Sequence, residues 1–83
     1  MHDRSTGSNA HRARTAAARL ASLSARERDV AVAIGQGKSN AEIAGELVMS
    51  LATVKAHVSR IFVKTGFANR VQIAICVHEA DTT

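Results

Sequence analysis

Two serines, Ser24 and Ser39, each stand three residues ahead of a glutamate, Glu27 and Glu42, and each pair opens a run of apolar residues at helical spacing. Such a pair is a capping box: the serine hydroxyl accepts the N–H of the third helical residue, and the glutamate reaches back to the serine N–H, so each pair fixes a helix start. After Ser24 the stripe Val30, Ala33 and Ile34 runs into Gly35 and Gly37, which predicts a first capped helix over about 25–36. After Ser39, Ile43, Ala44 and Leu47 mark a second helix ending near Leu47 or Val48. Ser50 caps a third, about 51–65, and Asn69 with Gln72 at the capping-box position opens a fourth that runs to about 80. Only Val48-Met49-Ser50 joins the second helix to the third, which is too short for a widely separated hairpin and suits a helix-turn-helix corner.

Composition agrees with helices. Proline is absent, and of the apolar residues 16 are Ala and 22 are larger, with two Phe and no Trp or Tyr. A chain of 83 residues built this way makes one small domain with a light core. The expected fold is all-α, a four-helix bundle-like domain over 23–83 containing a helix-turn-helix. Residues 1–22 are polar and then rich in Ala and Arg, with only Leu20 as an apolar anchor, and are read as a flexible basic arm or linker.

No apolar run approaches the roughly 18 residues of a membrane span, so a soluble, cytoplasmic protein with no membrane partner is expected. Cys76 alone builds no intrachain disulfide, and with four scattered His it suggests no metal site. Gly35-Gln36-Gly37-Lys38 lacks the spacing of a phosphate-binding loop and follows a helix rather than a strand. Neither a cofactor nor an enzymatic activity is expected.

The net charge of +4 is unevenly placed: residues 1–22 carry +3, 23–50 carry −1, 51–65 carry +3 and 66–83 carry −1. No acidic residue lies between Glu46 and Glu79, whereas Lys55, Arg60, Lys64 and Arg70 all do. A polyanion meets no repulsion there, which makes nucleic acid the natural partner, although a solvated basic face has the same composition. Arg12, Arg14 and Arg19 of the arm could add phosphate contacts without sequence information.

The third helix separates into faces at about 100° per residue. Val54, Val58, Ile61 and Thr65 make the core side, with Leu51 and Phe62 further round; the opposite side carries Ala52, Ala56, Ser59 and Val63, with Thr53, Lys55, Arg60 and Lys64 towards its edges. Small residues flanked by long cations suit a DNA major groove. Near the helix start, Lys55 is placed to donate to guanine O6 and N7, and Ala56 to meet a thymine methyl. Arg60 and Lys64 lie where a straight helix leaves the groove, which favours phosphate contact, as does the first-turn hydroxyl of Thr53. His57 lies at the edge of the core side, where packing competes with any DNA contact.

On the fourth helix, Val71, Ala74, Ile75 and His78 form a face that can cover the core, while Ile73, Cys76, Val77 and Ala80 form a second apolar face. A terminal helix in so small a domain cannot bury both, so the second face is expected to be a dimer interface.

The runs Leu23-Ser24-Ala25-Arg26-Glu27-Arg28-Asp29-Val30, Gly37-Lys38-Ser39-Asn40-Ala41-Glu42-Ile43-Ala44 and Thr53-Val54-Lys55-Ala56-His57-Val58-Ser59-Arg60-Ile61, followed by Lys64, Gly66 and Asn69-Arg70, resemble the LuxR/FixJ-type (NarL-like) DNA-binding domain of bacterial transcription regulators. The resemblance covers about 20–79 and implies four helices, the third reading DNA and the fourth dimerising. Carried over by position, it implies base contacts from Lys55, Ala56 and Ser59, backbone proximity for Thr53, His57 and Arg60, and structural roles for Glu27 and Glu42. Two-fold pairing through the last helix predicts double-stranded DNA with a palindromic operator and a homodimer that forms on DNA, with RNA polymerase as a candidate partner. Members of the family, response regulators among them, usually carry a receiver or ligand-binding domain ahead of this one, so the chain is read as either a stand-alone regulator or a fragment whose sensor lies elsewhere. Thr65, Ala31, Ala33 and Val63 depart from the family pattern, the first three being smaller or more polar than usual and Val63 apolar where polar residues are common. A promoter-recognition module of a sigma factor, or an interaction module that heterodimerises through the last helix without gripping DNA, shares parts of the pattern.

Overall fold

The computed structural model describes the backbone of residues 2–81 and the side chains of residues 10–81. Every regular element among them is a helix: α1 (His2–Ala21), α2 (Ala25–Gly35), α3 (Asn40–Leu47), α4 (Leu51–Thr65) and α5 (Arg70–Ala80). The four capped helices are α2 to α5. Both capping boxes close reciprocally: Glu27 N–H donates to Ser24 Oγ at 3.1 Å and Ser24 N–H to Glu27 Oε1 at 2.9 Å, with 3.2 and 2.8 Å for the Ser39 and Glu42 pair. Ser50 and Asn69 accept the N–H groups of Thr53 and Gln72 at 3.1 Å each. At α5 the reciprocal bond falls one residue early, because Gln72 Oε1 accepts the Ala68 N–H rather than that of Asn69.

Helix ends follow equally local rules. Gly37, at φ +82°, ends α2 as its own N–H donates to Ile34 O at 2.9 Å and the Lys38 N–H donates to Ala33 O at 3.2 Å, the paired bonds of a left-handed glycine terminus. The three-residue corner has no such glycine. Val48 itself takes the left-handed conformation, φ 55° and ψ 52°, with its side chain almost wholly exposed. A β-branched residue there is a steric outlier, and the conformation costs an L-residue about 1–2 kcal/mol. Val48→Asn should therefore raise stability by about 1 kcal/mol, read as a higher urea midpoint at unchanged slope, since asparagine tolerates this region and no buried contact is lost.

The core gathers Val30, Ala31, Ala33 and Ile34 of α2, Ile43 of α3, Val54, Val58 and Ile61 of α4, and Ile73 and Val77 of α5. Thr65 takes its place in this core without leaving a polar atom stranded: its hydroxyl donates to Ile61 O at 2.7 Å and accepts from the Phe67 N–H at 3.3 Å.

Residues 2–21 differ from the flexible arm expected for 1–22, because they form a helix that packs along α5. Its anchors are alanines. Ala13 and Ala16 are fully buried, the Cys76 thiol donates to Ala16 O at 3.6 Å, and Arg19 donates to Thr65 O at 2.7 Å while lying 5.1 Å over the Phe67 ring. Small residues let two helices approach closely without an aliphatic stripe, so the docking face leaves no trace in hydropathy.

The rotation of α5 also corrects the expectation. Ile73, Cys76 and Val77, expected as an outward pairing face, are buried within their own chain at 1%, 3% and 6% exposure, and Ala80 is half buried. Gly35 sets this arrangement: a Cβ there would lie 2.9 Å from Val77 Cγ1, so the glycine admits Val77 against α2. Cys76 faces α1, and its burial pushes the thiol pKa up. The exposed apolar residues of α5 are instead Val71 and Ile75, with the His78 ring hydrogen-bonded through Nε2 to Gly35 O at 2.9 Å.

Candidate nucleic-acid interface

Helix α4 carries the candidate site because its two sides have different fates. Val54, Val58, Ile61 and Thr65 are buried, which fixes the rotation of the helix, and Ala52, Ala56, Ser59 and Val63 are consequently turned to solvent. Lys55 and Arg60 project on either side of this strip, both exposed. Among the described residues neither makes an ion pair or a hydrogen bond. Two unneutralised cations thus flank a strip of small side chains.

The other two cations of the acid-free stretch are engaged inside the fold. Lys64, expected against the DNA backbone, places Nζ 2.7 Å from Glu27 Oε1 and ties the end of α4 to the start of α2. Arg70 donates to Asn40 Oδ1 and to Lys38 O, at 2.7 Å each, and ties the start of α5 to that of α3. Neither pairing could be read from sequence spacing, since the partners lie 37, 30 and 32 residues away. On α2, Arg26 reaches Leu47 O at 3.3 Å and pairs with Asp29, which braces the end of α3 just ahead of the corner.

Thr53 stands in the first turn with its hydroxyl 2.8 Å from that of the cap residue Ser50 and its remaining capacity open to solvent. His57 is half buried, and its Nδ1 is enclosed with no hydrogen-bond partner among the described residues.

Glu27 couples this site to stability. Its carboxyl is held below the usual carboxylate range, first by the hydrogen bond from Lys64 and then by that from the Ser24 N–H, against the opposing effect of burial. The Ser39 N–H and hydroxyl lower Glu42 in the same direction. A carboxyl whose folded pKa is lowered adds stability that is present above its unfolded value and is lost as pH falls through the folded one. Stability should thus drop on acidification from about pH 5 towards pH 3, and Glu27→Gln should flatten that acid limb while Glu42 keeps part of it, as urea midpoints taken across pH will show.

No helix among the described residues is long and apolar enough to cross a membrane, and no group of three or more His, Cys, Asp or Glu among them could hold a metal ion.

Comparison with known proteins matches residues 21–77 to the family described as bacterial regulatory proteins, luxR family. The chain is similar to the uncharacterised transcriptional regulatory protein YhcZ of Bacillus subtilis, 49% identical over 53 residues, which are 64% of this chain and 25% of that protein. It is also similar to the transcriptional regulatory protein LiaR of the same organism, 39% identical over 69% of this chain and 27% of the relative. To the monoamine regulon transcriptional regulator of Klebsiella aerogenes it is 43% identical over 61% of this chain and 22% of the relative. The matched part is thus about a quarter of the length of these relatives.

Proposed function

Because the chain belongs to the luxR family of bacterial regulatory proteins and its domain is a DNA-binding one of transcription regulators, we propose that α4 lies in the major groove of double-stranded DNA and reads its sequence. The observation that carries this reading is the exposed strip Ala52, Ala56 and Ser59 between the unpaired Lys55 and Arg60, on a helix whose other side is locked in the core. Lys55 donates to guanine O6 and N7, Ala56 meets a thymine methyl and Ser59 bonds a base edge. Arg60, the Thr53 hydroxyl and the His57 ring contact phosphates, which position the helix without reading sequence. Lys64 acts through Glu27, holding α4 in place, rather than on DNA.

The protein pairs as a two-fold dimer on its operator, through the α5 residues left exposed, Val71 and Ile75, instead of Ile73, Cys76 and Val77. Two exposed aliphatic residues one turn apart give a small interface, so pairing is completed when DNA holds two copies together. A two-fold axis places two recognition helices about one DNA turn apart and makes the operator an inverted repeat. RNA polymerase is the partner through which such a regulator acts on transcription.

Selection of bound sequences from a random duplex pool tests the reading: an inverted repeat with half-sites about 10 bp apart should be enriched, and a pool that stays random would contradict it. Ile75→Glu should leave helical circular dichroism unchanged, because the side chain is half exposed, and should abolish cooperative filling of the two half-sites. Cooperativity equal to that of the parent would remove α5 as the pairing face.

A further inference from the structure

Val63 is the least expected residue on α4. The other β-branched aliphatic residues of this helix, Val54, Val58 and Ile61, are buried, whereas Val63 is 84% exposed. It lies on the line of Ala52, Ala56 and Ser59, one turn beyond Ser59, with Arg60 beside it and Lys64 turned away to Glu27. The exposed apolar pair Val71 and Ile75 belongs to a different helix, α5. A surface laid along that line over Ala56 and Ser59 also reaches Val63.

Resting on the placement of α4 in the major groove, we propose that Val63 is a specificity-determining residue that packs against the methyl group of a thymine at the outer edge of each half-site. Valine has no donor or acceptor, and the one apolar feature that a base edge presents in the major groove is the thymine C5 methyl. Reach is consistent with an outer position. Val63 lies one turn, about 6 Å along the axis, beyond Ser59, so it meets the base step nearest the exit of the helix while Ala56 lies over the interior of the half-site. A lysine or arginine at this place would seek a phosphate and read nothing. The short branched side chain can gain only by covering another apolar group, and the polar groups of every other base edge would be desolvated against it without a partner.

Deoxyuridine differs from thymidine only by this methyl, which makes it the probe. On the operator recovered by selection, each thymine is replaced in turn by deoxyuridine, and duplex affinity is measured for the full chain and for Val63→Ala. The expected result is one outer position per half-site where loss of the methyl weakens the parent about fourfold, the factor one buried methyl-sized group is worth, and leaves Val63→Ala unaffected. Inner thymines opposite Ala56 should respond equally in both proteins. The inference is overturned if the two proteins show the same deoxyuridine effects at every position, or if the selected half-site has no outer thymine. Failure of the underlying reading looks different, since the parent itself would then bind no duplex with preference. Because Val63 is exposed, unchanged helical circular dichroism will show that Val63→Ala is folded.

Discussion

Ile61→Ala is expected to remove about 2–5 kcal/mol of folding stability, the range for deleting a fully buried isoleucine side chain and leaving a cavity. Ile61 has no exposed surface and stands in the middle of the buried stripe of α4, within the single cluster that joins α2, α3, α4 and α5. In a light core few neighbours can collapse into the space. Against a total of about 4–12 kcal/mol for a chain of this size, the loss is a large share and leaves the variant marginal. Urea unfolding followed by helical circular dichroism will show it as a lower midpoint; a loss under about 1 kcal/mol would mean that the core is not packed as described.

The second large effect falls on recognition. Lys55→Ala should weaken operator binding by about 1–3 kcal/mol, roughly 5- to 150-fold, and relax preference at a single base pair, because a bidentate donor to guanine is removed. Arg60→Ala should weaken operator and random duplex alike and reduce the salt slope by about one for each copy bound. The contrast between the two variants matters more than either loss, since both cations are equally free of partners among the described residues. If Lys55→Ala lowers affinity equally on operator and random duplex, Lys55 contacts phosphate and does not read a base. Neither substitution should change folding stability, read from urea unfolding, by more than about 0.5 kcal/mol, because both side chains are exposed.

What the sequence made legible is local. Helix starts at Ser24, Ser39, Ser50 and Asn69 are encoded within three residues of each cap, and the structure places α2 to α5 where those signals stand. The rotation of α4 was also readable, because its apolar and polar sides differ. Helix α5 gave no such guidance. It has apolar residues on every side, so periodicity could not decide which of them faces α2, and the deciding contact is a glycine, Gly35, that admits Val77. A missing side chain carries no hydropathy signal. The docking of α1 was hidden for the same reason, since Ala13 and Ala16 pack on α5 yet read as helix filler. Lys64 and Arg70 counted as free cations by composition, and only the tertiary fold brings Glu27, Asn40 and the Lys38 carbonyl to them. Charge clusters locate a partner surface only after internal ion pairs have been removed from the count.

The claim that α4 grips DNA through Arg60 and Lys55 is tested most directly by the salt dependence of duplex binding. Affinity of the full chain for its selected operator, followed by fluorescence anisotropy, should fall at least about tenfold between ~50 and ~200 mM salt, as counterions are released from the phosphates that the two copies neutralise. Affinity that does not change over that range would contradict a phosphate-gripping α4 and with it the assignment of the exposed cationic strip as the DNA-binding surface.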